Sequence, residues 1–195
     1  KNLSQDIKIL DGVSREKNDF SVVKIQHRHD ADQAHSSSMY TFTDLDIDES
    51  SHPRVRVRMD AGVAIPYAMN HLYQHGITGL QWYARIPATV AGAIVNNIHG
   101  GTHFIAEVLE SVTVITASGL EQTYKTAELE MGYDDSRFHR SDDIIISADF
   151  LLYKGDVEQA RAISIEWARR KSVQPARSLG CIFQNITQEE RERLG

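Results

Sequence analysis

The sequence predicts an α+β fold, a mixed sheet with flanking helices, and three patterns carry that reading. Residues 54 to 61 alternate cleanly. Arg54, Arg56 and Arg58 fall on one face and Val55, Val57 and Met59 on the other, the period of a half-buried strand. Glu110 to Thr116 and Leu120 to Tyr124 flank the turn Ser118-Gly119, which is the signature of a hairpin. Helical stripes of period near 3.6 are interspersed with these strands. Hairpins mixed with helices argue against a strictly alternating parallel fold.

Taken in order, the first fifty residues are polar and weakly patterned. Val22-Val23-Lys24-Ile25 reads as a short strand. His27 to Ser38 is a histidine-rich loop and Asp44 to Ser51 an acidic one; neither repeats a ligand spacing, so no metal site is expected. Gly62 ends the arginine-bearing strand. Pro66 suits a first helical turn, Met69, Leu72 and Tyr73 form an apolar stripe, and Gly76 is a helix stop. Ile144 to Leu152 is a strongly apolar strand. Asp156 caps a helix whose stripe is Val157, Ala160, Ile163, Ser164 and Trp167. Its basic end, Arg169, Arg170 and Lys171, suits the negative end of a helix dipole.

Bulk properties exclude several classes. The formal charge of -6, with no basic stripe to offset it, argues against a general nucleic-acid binder. No apolar run is long enough to cross a bilayer, so no membrane partner is expected. A single cysteine, Cys181, excludes an internal disulfide and a multi-cysteine zinc site, and fits a reducing, cytoplasmic compartment. The chain starts at Lys1 and stops at Gly195 inside a charged helical stretch, so a longer protein is expected. Oligomeric state is left open.

Residues 86 to 101 read IPATVAGAIVNNIHGG. The small residues Ala88, Thr89, Ala91, Gly92 and Ala93 let a ligand approach the backbone. Pro87 can open a short helix there, whose free N–H groups form a cradle for a pyrophosphate, and Thr89 can add a hydroxyl donor. Tight packing of a helix on a sheet selects the same residues, and composition alone does not separate the two.

The stretch GLQWYARIPATVAGAIVNNIHGG resembles a segment of the UDP-N-acetylenolpyruvoylglucosamine reductases, bacterial cell-wall flavoenzymes. In that family Gly-Leu-Glu, Ile-Pro-Gly-Thr-Val-Gly-Gly-Ala and Asn-x-Gly wrap the FAD diphosphate. Gly79, Leu80, Ile86, Pro87, Thr89, Val90, Gly92, Ala93 and Asn97 match. Ala88 and Ala91 replace glycines, which is tolerable where the backbone avoids positive φ. Val57 to Gly62 resembles the family's strand ending in Ala-Gly. Farther on, MGYDDSRFHRSDDIIISADFLL resembles the family's Phe-Gly-Tyr-Arg-Asp-Ser-x-Phe, with Gly132, Tyr133, Asp135, Ser136 and Phe138 matching. Asp134 stands where the family has a catalytic arginine that stabilises an enolate. An aspartate repels that charge, leaving Arg137 or another cation to compensate. Finally, RKSVQPARSLGCIFQN resembles the family's Gln-Pro, then Ser-x-Gly-Ser-x-Phe-Lys-Asn; Gln174, Pro175, Ser178, Gly180, Phe183 and Asn185 match. Cys181 falls on the proton-donating serine, and a thiol, with a reference pKa of about 8.5, is the better acid. Gln184 replaces the lysine.

The resemblance runs from about Val55 to Asn185 and implies an FAD-binding PCMH-type (vanillyl-alcohol-oxidase-like) flavin domain. Residues 1–50 would be a remnant of the first FAD-binding subdomain, 51–170 the second, and 171–195 the start of a truncated substrate-binding domain. The family's Gly-x-Gly-Ser-Asn loop is not visible, apart from Asn2-Leu3 as its tail, and the catalytic glutamate lies beyond the match. The implied cofactors are FAD and NADPH, and the implied partner is a small molecule, a UDP-sugar enolpyruvyl ether. NADPH reduces the flavin, the flavin gives a hydride to the enolpyruvyl double bond, and a side chain protonates the adjacent carbon, in peptidoglycan precursor synthesis. Residue by residue, Ile86, Pro87, Ala88, Thr89, Val90, Ala91, Gly92, Ala93 and Asn97 hold the diphosphate. Cys181 donates the proton and Tyr133 touches substrate. Ser178, Gln184 and Asn185 bind substrate, and Arg177 or Arg170 either meets its phosphate or stays on the solvated surface. Two other readings stay open: another oxidoreductase on the same flavin fold, favoured by Asp134, and a non-catalytic domain that binds a nucleotide or a partner protein, favoured by Ala88, Ala91 and Asp134.

Overall fold

In a computed structural model, residues 4–10, 45, 47–172 and 192–194 are described. Five strands form one sheet in the order β1-β2-β7-β5-β6: β1 (Ile7–Leu10), β2 (Arg54–Asp60), β7 (Ile144–Tyr153), β5 (Leu109–Ile115) and β6 (Glu121–Lys125). The expected mixed sheet is antiparallel at every described pairing. Two short strands, β3 (His99–Gly100) and β4 (His103–Phe104), make a separate hairpin. The helices are α1 (Ile65–Gln74), α2 (Val90–Val95) and α3 (Val157–Lys171).

The alternation in β2 works as expected. Val55, Val57 and Met59 are buried, and Val57 lies opposite Phe150 of β7. Phe150, Leu152 and Ala148 of β7 and Leu109, Val112 and Val114 of β5 share the same core. On the charged face Arg58 makes a bidentate pair with Asp149 at 2.7 Å. Arg56 grips Glu110, the residue left over where the β5–β7 register shifts. The bulge thus aims an acid at the arginine row.

Helix α1 begins with Pro66 in its first turn and ends in a Schellman motif. Gly76 takes φ +70, its amide bonds to Tyr73 O at 3.2 Å, and the Ile77 amide reaches Leu72 O at 3.0 Å. Helix α3 is capped by Asp156, which accepts from the Gln159 amide at 3.0 Å. Ala160, Ile163, Ser164 and Trp167 of its stripe are buried and Val157 is half-buried; on the α1 side the Tyr73 hydroxyl meets Ser164 at 2.7 Å. The basic residues fill the last turn as expected, and two of them also find an anion within the helix. Arg169 and Arg170 close on Glu166 at 2.6 and 2.7 Å, pushing its pKa down to about 2. Lys171 lies over the Trp167 ring, and burial lowers its pKa to about 8. The chain therefore supplies its own anion to two of the three cations.

Two features of the first fifty residues correct the picture of a polar preamble. Strand β1, four residues long, pairs with β2 and edges the main sheet. Glu49, expected in a solvated acidic loop, is only 7% exposed. Its carboxylate accepts from Gln81 Nε2 at 2.6 Å and from the Thr78 hydroxyl. Burial of a carboxylate is tolerable because neutral donors meet it from both sides. The boundary expected at residue 170 falls within α3, which ends at Lys171. The strand expected at Val22 to Ile25 and the loop from His27 to Ser38 lie outside the described residues. Among the described residues no helix is long and apolar enough to cross a membrane.

Candidate functional site

The segment of small residues lies between α1 and the β3–β4 hairpin. Pro87 does not open α2. Thr89 does, as its N-cap, with φ -87 and its Oγ1 accepting from the Gly92 amide at 3.3 Å. The first-turn amides are not free, contrary to expectation. Val90 N–H donates to Val63 O at 2.8 Å and Ala91 N–H to Ala61 O at 3.0 Å, so the loop after β2 consumes them. Ala93 N–H goes to Thr89 O, Ile86 N–H to Tyr83 O and Ala88 N–H to Ile86 O. Such pairing is what a helix end beside protein carbonyls must do, since buried donors need partners.

One amide escapes. An antiparallel bridge pairs Ala64 with Thr89, and its two hydrogen bonds belong to the neighbours Ile65 and Val90. The Thr89 N–H therefore points away from the bridge, and it has no partner among the described residues. Pro87 and Thr89 are exposed, while Ile86, Ala88, Ala91 and Gly92 are half-buried. Ala88 and Ala91 are absent from the described non-glycine residues with positive φ, so alanine costs no strain at either place. A Cβ on Gly92 would meet Thr89 Oγ1 at an ordinary 3.5 Å.

Asn97 departs most from its expected role. It is fully buried. Its Nδ2 donates to Gly132 O at 2.7 Å and its Oδ1 accepts from Ala106 N–H at 3.3 Å. A side chain with no exposed surface and both ends engaged does not reach a diphosphate. It clamps the turn at Gly132 to the end of α2. The Ser136 hydroxyl, which donates to Val95 O at 2.7 Å, adds a second clamp. These bonds bring two separate sequence motifs together.

The clamped turn carries Tyr133 and Asp134. Gly132 N–H bonds to Asp135 O at 2.9 Å, and Asp134 adopts φ +50, which aspartate tolerates better than most residues. Tyr133 is half-buried, with its ring 5.1 Å from His99 and 6.4 Å, edge-on, from Phe104. The Asp134 carboxylate lies 3.8 Å from His99 Nε2. Arg137 does not compensate Asp134, because it sits 3.9 Å over the Tyr124 ring and pairs with Asp143. Arg140 pairs with Asp135 at 2.8 Å. His99 is thus the group that faces Asp134, and sequence reasoning missed it. So too with Gly100, where a Cβ would run into the Trp82 carbonyl, and with His103, which stacks on Trp82 at 4.1 Å. The signal was the His-Gly-Gly run inside the motif.

Cys181, Ser178, Gln184, Asn185 and Arg177 lie outside the described residues. Arg170 is engaged with Glu166.

Comparison with known proteins bears on the same segment. A family model described as an FAD binding domain matches residues 38–124. The chain is 35% identical over 137 residues to the UDP-N-acetylenolpyruvoylglucosamine reductase of Chlamydia felis, a match covering 66% of this chain and 44% of that protein. It is 34% identical over 131 residues to the reductase of the same name from Pediococcus pentosaceus, with 66% and 44% covered. The crystal structure of the UDP-N-acetylenolpyruvylglucosamine reductase from Thermus caldophilus is similar with a TM-score of 0.61 and 26% identity, over 80% of this chain and 57% of that one. The chain spans less than half the length of these two curated relatives. It folds as an FAD-binding domain of the PCMH type, and the flavin domain it resembles is that of the UDP-N-acetylenolpyruvoylglucosamine reductases.

Proposed function

We propose that the protein containing this chain is an FAD-dependent reductase that uses NADPH to convert the enolpyruvyl ether of UDP-N-acetylglucosamine into UDP-N-acetylmuramate, in cytoplasmic peptidoglycan precursor synthesis. One observation carries the reading. The segment from Ile86 to Ala93, inside the match to an FAD binding domain, brings Pro87 and Thr89 to the surface beside the half-buried Ala88, Ala91 and Gly92, with an open donor at Thr89.

The residues present fit a diphosphate, though more sparingly than a row of free amides would. Thr89 offers its N–H and, because Oγ1 uses only a lone pair toward Gly92, its hydroxyl proton as well. Pro87, Ala88, Ala91 and Gly92 keep side-chain bulk away. Ile86, Val90 and Ala93 support the strip from below. Bound FAD supplies hydride transfer between the nicotinamide and the substrate double bond. This chain binds and orients. Tyr133 lines the substrate side, held by the Asn97 and Ser136 clamps. Cys181 protonates the substrate carbon, and Ser178, Gln184 and Asn185 contact the substrate.

The test uses the full-length protein loaded with FAD. NADPH oxidation should depend on added enolpyruvyl ether, and absence of turnover overturns the reading. In stopped-flow, Cys181→Ala should leave flavin bleaching by NADPH intact. Its re-oxidation by substrate should slow by about 10²–10⁴-fold, the usual worth of a general acid. Equal loss in both half-reactions would make Cys181 a structural residue instead.

A further inference from the structure

Helix α1 carries a histidine pair that the flavin reading does not use. His71 and His75 stand four residues apart, one turn on the same face. Their ring centroids are 4.6 Å apart with the planes tilted by 38°. His75 is exposed and His71 half-buried, with the exposed Tyr67 ring beyond them at 6.1 Å.

The tautomer of His75 is fixed by its surroundings. Its Nδ1 lies 2.8 Å from the His71 carbonyl oxygen, which can only accept, so Nδ1 carries the proton and donates. In the neutral ring Nε2 then carries the lone pair, on a side chain that is exposed. A backbone carbonyl holding the far nitrogen is the usual way a metal-binding imidazole is oriented.

The ring spacing matches a chelate. A metal at about 2.0–2.1 Å from each Nε2 sits about 3.2 Å from each ring centroid. Two such rings subtending about 90–109° at the metal have centroids about 4.5–5.2 Å apart, the range of square-planar to tetrahedral sites. The separation of 4.6 Å falls inside that range, so the two rings meet the spacing once both Nε2 atoms turn toward one ion. The pair also sits at the carbonyl end of α1, where the helix dipole favours a cation. One group opposes: the Lys154 ammonium, bonded to the His75 carbonyl at 3.0 Å.

We propose that His71 and His75 form a surface site for a borderline divalent transition-metal ion, of the class of Zn²⁺, Ni²⁺ and Cu²⁺. Among the described residues no group of three or more His, Cys, Asp or Glu joins them, so water completes the coordination shell. The amide of Ile65, at the start of α1, bonds to Ala88 O, which places the diphosphate strip at the other end of the helix. Ten residues of α helix span about 15 Å, so the two sites are separate.

The probe is Zn²⁺ alone, titrated by calorimetry into the metal-free full-length protein, with Mg²⁺ as control. Zn²⁺ should bind with a Kd below roughly 1 mM and raise the melting temperature, whereas Mg²⁺ should do neither. His71→Gln and His75→Gln should each weaken one binding event by at least tenfold. His71→Gln is the cleaner variant, because His75 also caps the helix carbonyl. Unchanged isotherms in both variants would place the ion elsewhere among the nine histidines and overturn the site. So would a wild-type protein that does not bind Zn²⁺ in this range. FAD content serves as the check that each variant is folded.

Discussion

Asn97 combines a left-handed backbone, φ +40, with a fully buried side chain whose two polar ends are both engaged. Asparagine is among the few residues that tolerate this backbone region without glycine's freedom, and glycine would lack the clamp. Asn97→Ala removes both hydrogen bonds and strands the Gly132 carbonyl and the Ala106 amide in the interior. At about 1–3 kcal/mol for each stranded group, plus the strain of alanine at positive φ, the loss should total about 3–5 kcal/mol. Urea unfolding of the full-length protein measures it, and a loss under about 1 kcal/mol would show that the clamp does not hold. The motif points to Asn97, whose role in the structure is the clamp and not the diphosphate. Its partners lie 35 and 9 residues away in sequence, so neither bond has a local signature. The burial of Glu49 has no local signature for the same reason, since Thr78 and Gln81 are 29 and 32 residues distant. Composition near Glu49 suggests water, and only the fold brings the donors.

Elements with a local period were legible. The alternation of β2, the β5–β6 hairpin and the capped stripe of α3 are each written within a dozen or so residues, and each formed as expected. Strand β1 was not legible, because four residues at a sheet edge carry too short a pattern. Helix α2 starts three residues later than the proline suggests, at Val90. Proline at a helix start is a strong signal, but threonine as N-cap outweighed it here. The end of α3 shows a pattern that was available and overlooked: Glu166 precedes Arg169 and Arg170 by three and four residues, the spacing of facing side chains. The Arg169 hydrogen bonds, then those of Arg170, hold the Glu166 carboxyl at about 2, against an ordinary 4.5. A group depressed on folding adds stability above its unfolded value, and that contribution disappears as pH falls from about 4.5 toward 2. Glu166→Gln should therefore lower the melting temperature slightly near neutrality, with the two curves converging as pH falls through that window, so that the variant's acid limb is the flatter one. Since the group is on the surface, 0.5 M salt should shrink the difference between the two proteins. An identical acid limb in both would mean that the pair forms equally in the unfolded chain.

At the scale of the whole molecule, an antiparallel sheet puts one face into the core and one row of arginines against carboxylates, and the loop after β2 docks onto the start of α2. That docking limits which amides of this segment remain open to an anionic ligand. With the Val90 and Ala91 amides committed to Val63 and Ala61, Thr89 caps the helix and, in the function proposed above, also faces the ligand. Removing its hydroxyl confuses the two roles, because losing an N-cap alone costs about 0.5–2 kcal/mol. Thr89→Asp separates them. Aspartate caps a helix at least as well as threonine, so the cofactor-free melting temperature should stay within a few degrees. The same carboxylate set about 4 Å from a diphosphate oxygen should cost about 4 kcal/mol at an effective dielectric of 20, or roughly a thousandfold in affinity. In the wild-type protein, FAD at 100 times its Kd should add about 2.7 kcal/mol, roughly 5–10 °C for a protein of this size. At the same FAD concentration the Thr89→Asp variant should lose nearly all of that rise, whereas Thr89→Ser, which keeps cap, hydroxyl and amide, should retain it. A full FAD-dependent rise in the aspartate variant would mean that the diphosphate lies away from Thr89, and the strip from Ile86 to Ala93 would then be read as helix-to-sheet packing alone.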